Sequence, residues 1–348
     1  MSGRVAQVRE TALNRGIGAL TGSLAGLGEV AREVRPRLEQ VDGIIHAHLG
    51  ATSPCIQEAA AYVFEAGGKR LRPAVLVATA QALGYRGDAD IRFAAAVEMI
   101  HSATLVHDDV IDHATVRRGR KTPNARWGNQ FTVLLGDWLF TRAMEIALDD
   151  GNILSLKVLS AATQRMTEGE IMALGLQRRL DVSLEQYLEV SRLKTAELFA
   201  AASSIPATFE PAFAACFEPL QAYGRHLGLC FQIIDDLLDV TASEERLGKP
   251  VFSDLREGRL TLPFILALPH LATHERETVE AVLLGGEIDS DAPRRLRHAL
   301  EHRGALEQAR HLARSHARQA TEAIANLPDG GAARALRAAP LALVDRDF

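Results

Sequence analysis

The chain has 348 residues, of which 47% are hydrophobic, 24% charged and 5% aromatic. This balance excludes a disordered or collagen-like chain, and a net charge of −5 argues against a general nucleic-acid binder. Three cysteines are too few for a disulfide framework or a thiolate metal site, which favours a reducing compartment.

The first 30 residues are interrupted by glycines and lack the compact apolar region of a signal peptide. We expect residues 1–30 to be a loosely attached N-terminal extension. The longest uncharged run covers residues 260–274 and contains two prolines, whereas a membrane-spanning helix needs about 20 apolar residues. We therefore expect a cytoplasmic protein without a transmembrane segment, although contact with a membrane surface stays open.

Apolar residues recur at helical spacing over most of the remaining chain. The strongest stretches are 89–107, 131–148, 154–174, 184–202 and 220–240. Alternating Val, Ile and Thr runs between turn dipeptides are missing, so little of the chain is expected to form a sheet. Gly and Pro clusters divide it into about ten helices without a linker between halves. The prediction is a single all-α domain over residues 31–348.

Two predicted helices end in the same acidic pattern, Asp-Asp-x-x-Asp. Its six carboxylates are Asp108, Asp109, Asp112, Asp235, Asp236 and Asp239. Aspartates four residues apart share a helix face, and the C-terminal end of a helix is unfavourable for anions. A hard divalent cation would compensate, and oxygen ligands favour Mg²⁺. One copy alone would be a solvated helix end, as we interpret Asp149 and Asp150, but two copies after apolar helices indicate a metal site.

Basic residues follow a Gly-Gly break, lie mid-helix in the case of Lys194, or trail the acidic clusters. They are Lys69, Arg70, Arg72, Arg117, Arg118, Lys194, Lys249 and Arg259. Carboxylates, Mg²⁺ and guanidinium groups together suit a highly charged phosphate ester. We interpret Arg120 and Lys121 as solvated surface. Because the sequence offers no evident nucleophile or base, we expect ionisation of a prenyl diphosphate beside an apolar cavity that excludes water.

These motifs resemble those of the trans-isoprenyl diphosphate synthases, or polyprenyl synthetases. The resemblance runs in order from about residue 67 to residue 263, through the Gly-Gly-Lys-Arg-Leu-Arg-Pro string, both Asp motifs, Arg117-Arg118-Gly119, Lys194-Thr195, Phe231-Gln232 and Gly248-Lys249-Pro250. It implies a single large helical bundle of the isoprenoid synthase type around a central cavity. It also implies a homodimer that elongates an allylic prenyl diphosphate with isopentenyl diphosphate.

The resemblance assigns roles to individual positions. All six aspartates would bind Mg²⁺, and the departing diphosphate would accept the final proton. The allylic diphosphate would be held by Arg117, Lys194, Lys249 and Arg259, the last standing where the family often has Lys. The isopentenyl diphosphate site would comprise Lys69, Arg72, His101 and Arg118. Thr195 and Gln232 would steady the cation, whereas His107 is interpreted as structural and residues 168–170 as cavity wall or turn.

Helix geometry bears on the length of the product. Counting back from Asp108, Thr104, Ile100 and Val97 fall on the same helix face, with Ala103 beside them. A growing prenyl tail would slide along this face, and neither residue 103 nor residue 104 is bulky enough to stop it. Since family members with aromatic residues there resemble short-chain synthases, we expect a long-chain product of the heptaprenyl to decaprenyl class, such as a quinone side-chain precursor.

Four other functions stay open on the sequence. They are a short-chain farnesyl or geranylgeranyl diphosphate synthase, the catalytic subunit of a heteromeric prenyl synthase, a head-to-head or cyclising terpene enzyme, and a helical scaffold with acidic helix ends. The intact Asp motifs argue against an inactive subunit. Lys69, Arg72 and Arg118 argue against the terpene enzymes, which need no isopentenyl diphosphate site.

Overall fold

The computed structural model of the chain describes residues 25–65, 67–117, 119–241, 251–286 and 291–345. These residues are predominantly helical, as predicted. The helices before residue 180 are α1 (Ala25–Glu33), α2 (Arg35–His48), α3 (Pro54–Glu65), α4 (Leu71–Ala82), α5 (Ala89–Ile111), α6 (Pro123–Trp127), α7 (Asn129–Asp150) and α8 (Ile153–Leu176). A two-residue antiparallel hairpin, β1 (Val116–Arg117) and β2 (Arg120–Lys121), follows α5 and pairs Val116 with Lys121.

The later helices complete the bundle. They are α9 (Leu184–Ser191), a π-turn (Arg192–Ala196), α10 (Glu197–Ser204), α11 (Phe217–Thr241), α12 (Ser253–Arg256), α13 (Leu262–Ala267), α14 (Thr273–Leu283), α15 (Ala292–His302), α16 (Ala305–Ala323) and α17 (Gly331–Val344). Short 3-10 helices cover Ile205–Thr208, Pro211–Cys216 and Leu268–His270. Within the described ranges, none of these helices combines the length and apolar character that a membrane crossing requires.

Helix α1 spans the boundary that the sequence placed at residue 30. Val30 and Ala31 have no exposed surface, and α1 packs against α17 and α4. Gly28 and Val30, at the end of the predicted extension, are thus buried in this helix, and the loose attachment of the extension stays a prediction. Residues 1–24 of the extension lie outside the described part of the chain.

The two helices that carry the Asp motifs run through the core. Residues 93–100 of α5 are buried throughout, as expected for a helix that is apolar on all sides, and α5 packs mainly against α7. From His101 onward α5 has an accessible face, which carries Thr104, Leu105 and Asp108. Helix α11 packs against α10 and α16. The acidic ends of both helices are thus fixed by buried apolar segments behind them.

The helix predicted over residues 184–202 is interrupted. A capping box between Ser183 and Gln186 starts α9, and the five residues Arg192–Ala196 then form the π-turn before α10 continues. A π-turn inserts one extra residue into a helix and commonly occurs at functional sites. This insertion has no signature in the apolar periodicity, so the sequence predicted an unbroken helix.

Candidate active site

The first Asp motif lies at the C-terminal end of α5. Asp108 is partly accessible, and Asp112 caps the helix through a backbone hydrogen bond of its N–H to the Asp108 carbonyl, 2.8 Å long. Asp109 is 2% exposed and accepts a 2.6 Å hydrogen bond from Arg117 Nε. The predicted allylic ligand Arg117 therefore anchors the hairpin to the middle aspartate. Asp108 and Asp112 are left on the accessible face.

The second motif has a similar division. Asp235 is exposed, whereas Asp236 is buried and accepts hydrogen bonds from the Tyr187 hydroxyl at 2.6 Å and from Gln232 Nε2 at 2.8 Å. Asp239 is also buried and accepts a 2.6 Å hydrogen bond from Ser253 Oγ. Asp236 and Asp239 thus have their carboxylates hydrogen-bonded to protein side chains, whereas Asp235 is exposed.

Three of the six aspartates predicted to bind Mg²⁺ are thus buried against protein groups, and their role as ligands stays a prediction. Asp109, Asp236 and Asp239 point into the protein, because adjacent residues of a helix project about 100° apart and because the α12 segment covers Asp239. Among the described residues, no three His, Cys, Asp or Glu side chains are grouped closely enough to hold an ion. Asp108, Asp112 and Asp235 are the motif members with accessible oxygens.

Arg259 connects the first motif with the segment after the second. Its Nη1 lies 3.1 Å from Asp112 Oδ2, and its Nη2 donates to Asp254 Oδ1 at 2.7 Å. The backbone N–H of Asp254 in turn donates to Asp239 Oδ2 at 3.3 Å. Arg259, predicted as a diphosphate ligand, thus bridges the two acidic helix ends.

A second connection runs through the π-turn. Lys194 Nζ lies 3.7 Å from Asp108 Oδ2, and the adjacent Thr195 donates a 2.7 Å hydrogen bond to Gln232 Oε1. Gln232 also donates to Asp236, so contacts run from one motif to the other. The structure therefore brings Lys194, Thr195 and Gln232 together with both motifs in one site.

Glu170 is a site residue that the sequence reasoning missed. It lies on α8 and forms an ion pair with Lys194, in a segment that we interpreted as wall or turn. Helix α8 can approach the π-turn this closely because its neighbour is Gly169, where a Cβ would lie 2.7 Å from the Lys194 backbone nitrogen. The Glu-Gly-Glu string on a helix was the available signal.

The electrostatics of the site favour an added cation. Burial raises the pKa of Asp108 to about 6, with Lys194 opposing the shift and Glu170 and Asp112 adding to it. Burial also raises the pKa of Asp236 to about 8. For Lys194, burial acts to lower the pKa, but Asp108 and Glu170 outweigh it and the pKa is raised. The carboxylates thus crowd one another, and their oxygens are suitable ligands for a divalent ion.

A concave pocket beside the first motif contains part of the predicted isopentenyl diphosphate site. His101 and Arg117 line it, together with Arg120 and Lys121, which we had interpreted as solvated surface. The Arg120 guanidinium stacks on Tyr62 at 4.1 Å, which turns this residue toward the pocket. Lys121 is exposed and Arg120 is partly exposed, so both remain solvent-accessible while they line the pocket. Arg118 and Lys249 lie outside the described residues.

The segment 67–73 contains one residue with a strained backbone conformation, Arg70, whose side chain fixes the segment to its neighbours. Arg70 has a left-handed backbone (φ 48°) and forms ion pairs with Asp42 at 2.9 Å and Glu98 at 2.7 Å. Such a conformation is costly for a side chain and needs contacts of this kind to persist. These ion pairs fix the backbone between the predicted ligands Lys69 and Arg72.

The buried positive charge of Arg72 is only partly balanced by the nearby carboxylate of Glu98. Its guanidinium stacks on Phe199 at 4.5 Å, and its buried Nε has no hydrogen-bond partner among the residues that the structure describes. Burial lowers the pKa of Arg72 to about 10 despite the opposing charge of Glu98. An anionic ligand would supply the missing partner.

The predicted chain-length residues lie on α5 behind Asp108. Ile100 and Ala103 are 1% and 2% exposed, while Thr104 is partly accessible and donates to the His101 carbonyl at 2.8 Å. Thr104 therefore shares the accessible face with Asp108, whereas Ile100 and Ala103 are buried, and the role of these positions in chain length stays a prediction. His107 contacts the Val133 carbonyl of α7 at 3.1 Å and lies 3.3 Å from Asp137.

Comparisons with known proteins agree with this site. A model of the family described as Polyprenyl synthetase matches residues 53–301. The octaprenyl diphosphate synthase of Haemophilus influenzae is 36% identical over 326 residues, which cover 93% of this chain and 98% of that protein. The geranylgeranyl diphosphate synthase of Saccharolobus solfataricus is 33% identical over 280 residues, which cover 78% of this chain and 84% of that protein.

A solved structure shows the same architecture. The polyprenyl synthase from Caulobacter crescentus CB15, complexed with calcium and isoprenyl diphosphate, has a TM-score of 0.86 and 36% identity, covering 92% of this chain and 98% of that one. The predicted all-α bundle of the isoprenoid synthase type is thereby confirmed. Because the family match and these relatives span most of its length, the chain belongs to the polyprenyl synthetase family and is a polyprenyl diphosphate synthase, a trans-prenyltransferase of isoprenoid biosynthesis.

Proposed function

We propose that this enzyme elongates an allylic diphosphate, such as farnesyl or geranylgeranyl diphosphate, by successive Mg²⁺-dependent head-to-tail condensations with isopentenyl diphosphate. The product would be a long-chain all-trans polyprenyl diphosphate of the heptaprenyl to decaprenyl class, as used for a quinone side chain. The observation that carries the proposal is that Lys194 and Arg259 lie against Asp108 and Asp112 of the first motif. Next to Lys194, Thr195 bonds Gln232, which in turn bonds Asp236 of the second motif. The face of α5 behind that point offers no bulky side chain at positions 103 and 104.

The metal of this proposal is Mg²⁺, held by Asp108 and Asp112 on one side and Asp235 on the other. Burial raises the pKa of Asp108, and the neighbouring carboxylates Glu170 and Asp112 add to the shift, which fits a site that gains from positive charge. A bound divalent ion supplies Lewis acidity toward a departing diphosphate. The calcium in the Caulobacter enzyme supports a divalent-metal site in the family.

The protein's own cations complete the allylic site. Lys194 and Arg259 lie against Asp108 and Asp112, so both are placed to neutralise a diphosphate that bridges the motifs. Arg117, bonded to Asp109, would orient the first motif. Thr195 and Gln232 present oxygen dipoles nearby, which suit a developing positive charge on the allylic carbon.

Isopentenyl diphosphate would occupy the adjoining pocket. His101 lines the pocket wall, and Arg72, which is not among the lining residues, has a buried Nε with no hydrogen-bond partner in the described part of the chain. Lys69 belongs to the same string, and Arg118 follows Arg117 directly in sequence. Arg120 and Lys121 add positive charge at this pocket, which favours a diphosphate there.

A short-chain synthase is the second candidate. The geranylgeranyl diphosphate synthase of Saccharolobus solfataricus is nearly as similar to this chain as the octaprenyl enzyme. The face of α5 favours the longer product, since no aromatic side chain stands at residues 103 or 104. A subunit that needs a different partner is the third candidate.

We also propose a cytoplasmic homodimer. Exposed apolar side chains are concentrated on two consecutive helices, α7 and α8, and such patches mark protein interfaces. They are Val133, Leu134, Phe140, Leu148, Ile153, Leu154, Ile171, Met172 and Leu174.

The three cysteines are unpaired thiols, which suits a reducing compartment. Because the product is largely apolar, its release would involve transient contact with a membrane surface.

The experiment that tests this proposal sizes the product. The purified chain is incubated with isopentenyl diphosphate, farnesyl diphosphate and Mg²⁺, and the dephosphorylated alcohols are separated by chromatography. We expect products of seven or more isoprene units, and shorter products from Ala103→Tyr because the ring would block the face of α5. Ala103→Ser, which stays small, is the matched control. Products of four units or fewer from the wild type would favour the short-chain candidate, and inactivity of the chain alone would favour a partner subunit.

A further inference from the structure

Three arginines converge on one buried carboxylate, Glu197, next to the active site. Glu197 is 2% exposed, and its oxygens lie 2.9 Å from Arg165 Nη1, 2.5 Å from Arg192 Nη1 and 3.2 Å from Arg225 Nε. The arginines come from α8, from the start of the π-turn and from α11. One side chain thus ties together three parts of the bundle.

Glu197 also closes the π-turn through its backbone. Its N–H donates to the Arg192 carbonyl, which is the hydrogen bond that defines the turn, and its side chain bonds the guanidinium of the same residue. Arg192, which begins the turn, and Glu197, which follows it, are therefore joined by one backbone and one side-chain hydrogen bond. Between those ends lie Lys194 and Thr195, which contact Asp108 and Gln232.

We propose that Glu197 is a positioning residue, which holds the π-turn so that Lys194 and Thr195 face the reacting diphosphate. A π-turn is less favourable than regular α-helix and persists where neighbouring contacts impose it. If the segment relaxed to α-helix, each side chain beyond the change would rotate by about 100° and leave the site. The inference rests on the proposed roles of Lys194 and Thr195 in the allylic site.

The neighbouring contacts support this reading of Glu197. Helix α11 approaches the turn so closely at Gly228 that a Cβ there would lie 2.5 Å from Ala196 Cα. Arg192 is held from its other side by Glu189 of α9, at 2.6 Å. The Glu189 side chain is 43% exposed, and its backbone carbonyl accepts the N–H of Arg192 as in an ordinary helix, whereas Glu197 is buried and its N–H closes the turn onto the Arg192 carbonyl. The two acids share one arginine but differ in whether they close the turn.

A double-mutant cycle tests the inference, with Glu197→Gln, Lys194→Ala and the double variant. We expect Glu197→Gln to lower kcat for condensation by roughly 10- to 100-fold, as for other misplaced catalytic groups. KM for isopentenyl diphosphate should stay within about twofold because its pocket lies elsewhere. The double variant should be slower than Lys194→Ala by much less than the loss that Glu197→Gln causes alone, since Glu197 acts largely through Lys194 and otherwise through Thr195. Glu189→Gln is the matched control and should retain kcat.

The outcomes separate the inference from the proposed function. If Lys194→Ala leaves kcat unchanged, the proposed role of Lys194 fails. If Lys194→Ala is slow and the two losses multiply, or if folded Glu197→Gln is fully active, the positioning role is overturned. Should Glu197→Gln fail to fold, the cycle is run with Arg192→Met, which opens the same side-chain contact and leaves Glu197 two arginines. The same non-additive result is expected, and multiplicative losses would overturn the inference.

Discussion

At the scale of single residues, Arg72 carries a charge that the folded chain compensates poorly. The Nε of Arg72 is buried and has no hydrogen-bond partner among the described residues, and burial lowers the pKa of the guanidinium to about 10. Arg72→Met should raise KM for isopentenyl diphosphate roughly 10- to 100-fold, the usual worth of charge-assisted hydrogen bonds. The melting temperature without ligand should stay equal or rise, because an uncompensated buried charge is removed.

Steady-state kinetics and thermal melts check this prediction. Arg92→Met is the matched control, because Arg92 pairs with Asp150 at 2.7 Å and has no assigned role in the site. It should leave KM unchanged. A lower melting temperature for Arg72→Met together with an unchanged KM would mean that Arg72 is a structural residue.

Asp236 predicts a pH dependence of stability. Burial raises its pKa from 3.8 to about 8. A carboxyl with a raised pKa favours the folded state while protonated, so this contribution is complete below about pH 4 and is lost as the pH rises through 8. Asp236→Asn imitates the protonated form. Its free energy of unfolding should therefore increase relative to wild type between pH 4 and pH 8.

Urea unfolding in chelator-treated buffer measures this difference. Asp149→Asn, at an exposed position, serves as the control and should differ from wild type by the same amount at every pH. A difference for Asp236→Asn that is equally independent of pH would contradict the assignment of a raised pKa to this buried carboxyl.

The sequence predicted residues that the structure brings together at the candidate site, but it predicted their orientations only in part. Asp108 and Asp112 share a face because they are four residues apart, and the structure has them so. Asp239 satisfies the same spacing relative to Asp235, yet it is buried by Ser253 and the following backbone. That contact spans a sequence separation of 14 residues, which local periodicity does not report.

At the scale of elements, the approach of α8 to the π-turn depends on Gly169. A Cβ at this position would lie 2.7 Å from both Leu193 Cβ and the Lys194 backbone nitrogen. Gly169→Ala should therefore destabilise the protein by about 1–3 kcal/mol through overpacking and lower kcat by shifting Lys194. Gly175→Ala is the matched control on the same helix, where nothing lies within 4 Å of the added Cβ.

The control should be neutral or stabilising by up to about 1 kcal/mol, because alanine favours a helix more than glycine does. Chemical unfolding and steady-state kinetics of both variants provide the comparison. Equal stabilities for the two variants would show that the contact between α8 and the turn can relax without cost.

Helix positions were largely predictable and the π-turn was not. The stretches 89–107, 131–148, 154–174 and 220–240 fall within α5, α7, α8 and α11, because apolar periodicity reflects burial directly. The π-turn depends on ion pairs from Arg165 and Arg225 to Glu197, which join residues 32 and 28 positions apart. Such distant charges leave no local pattern.

At the scale of the whole molecule, the apolar surface of α7 and α8 predicts association. Leu134 and Ile171 are 67% and 64% exposed, and clustered apolar side chains with this much exposure mark protein interfaces. Leu134→Glu with Ile171→Glu should convert a dimer to a monomer in light scattering after gel filtration. Leu284→Glu, also at an exposed leucine, is the control and should remain dimeric. A double variant that stays dimeric would place the interface elsewhere.

The account depends on the two Asp motifs acting together, and the rate of the first condensation at varied Mg²⁺ tests this most directly. Single-turnover rates with farnesyl and isopentenyl diphosphates are compared for wild type, Asp108→Asn, Asp235→Asn and the control Asp149→Asn. We predict that each motif variant is at least about 100-fold slower at saturating Mg²⁺, as when a transition-state charge loses its stabilising group, and that the control is unchanged. Wild-type rates from either motif variant, or a wild-type rate independent of Mg²⁺, would contradict the account.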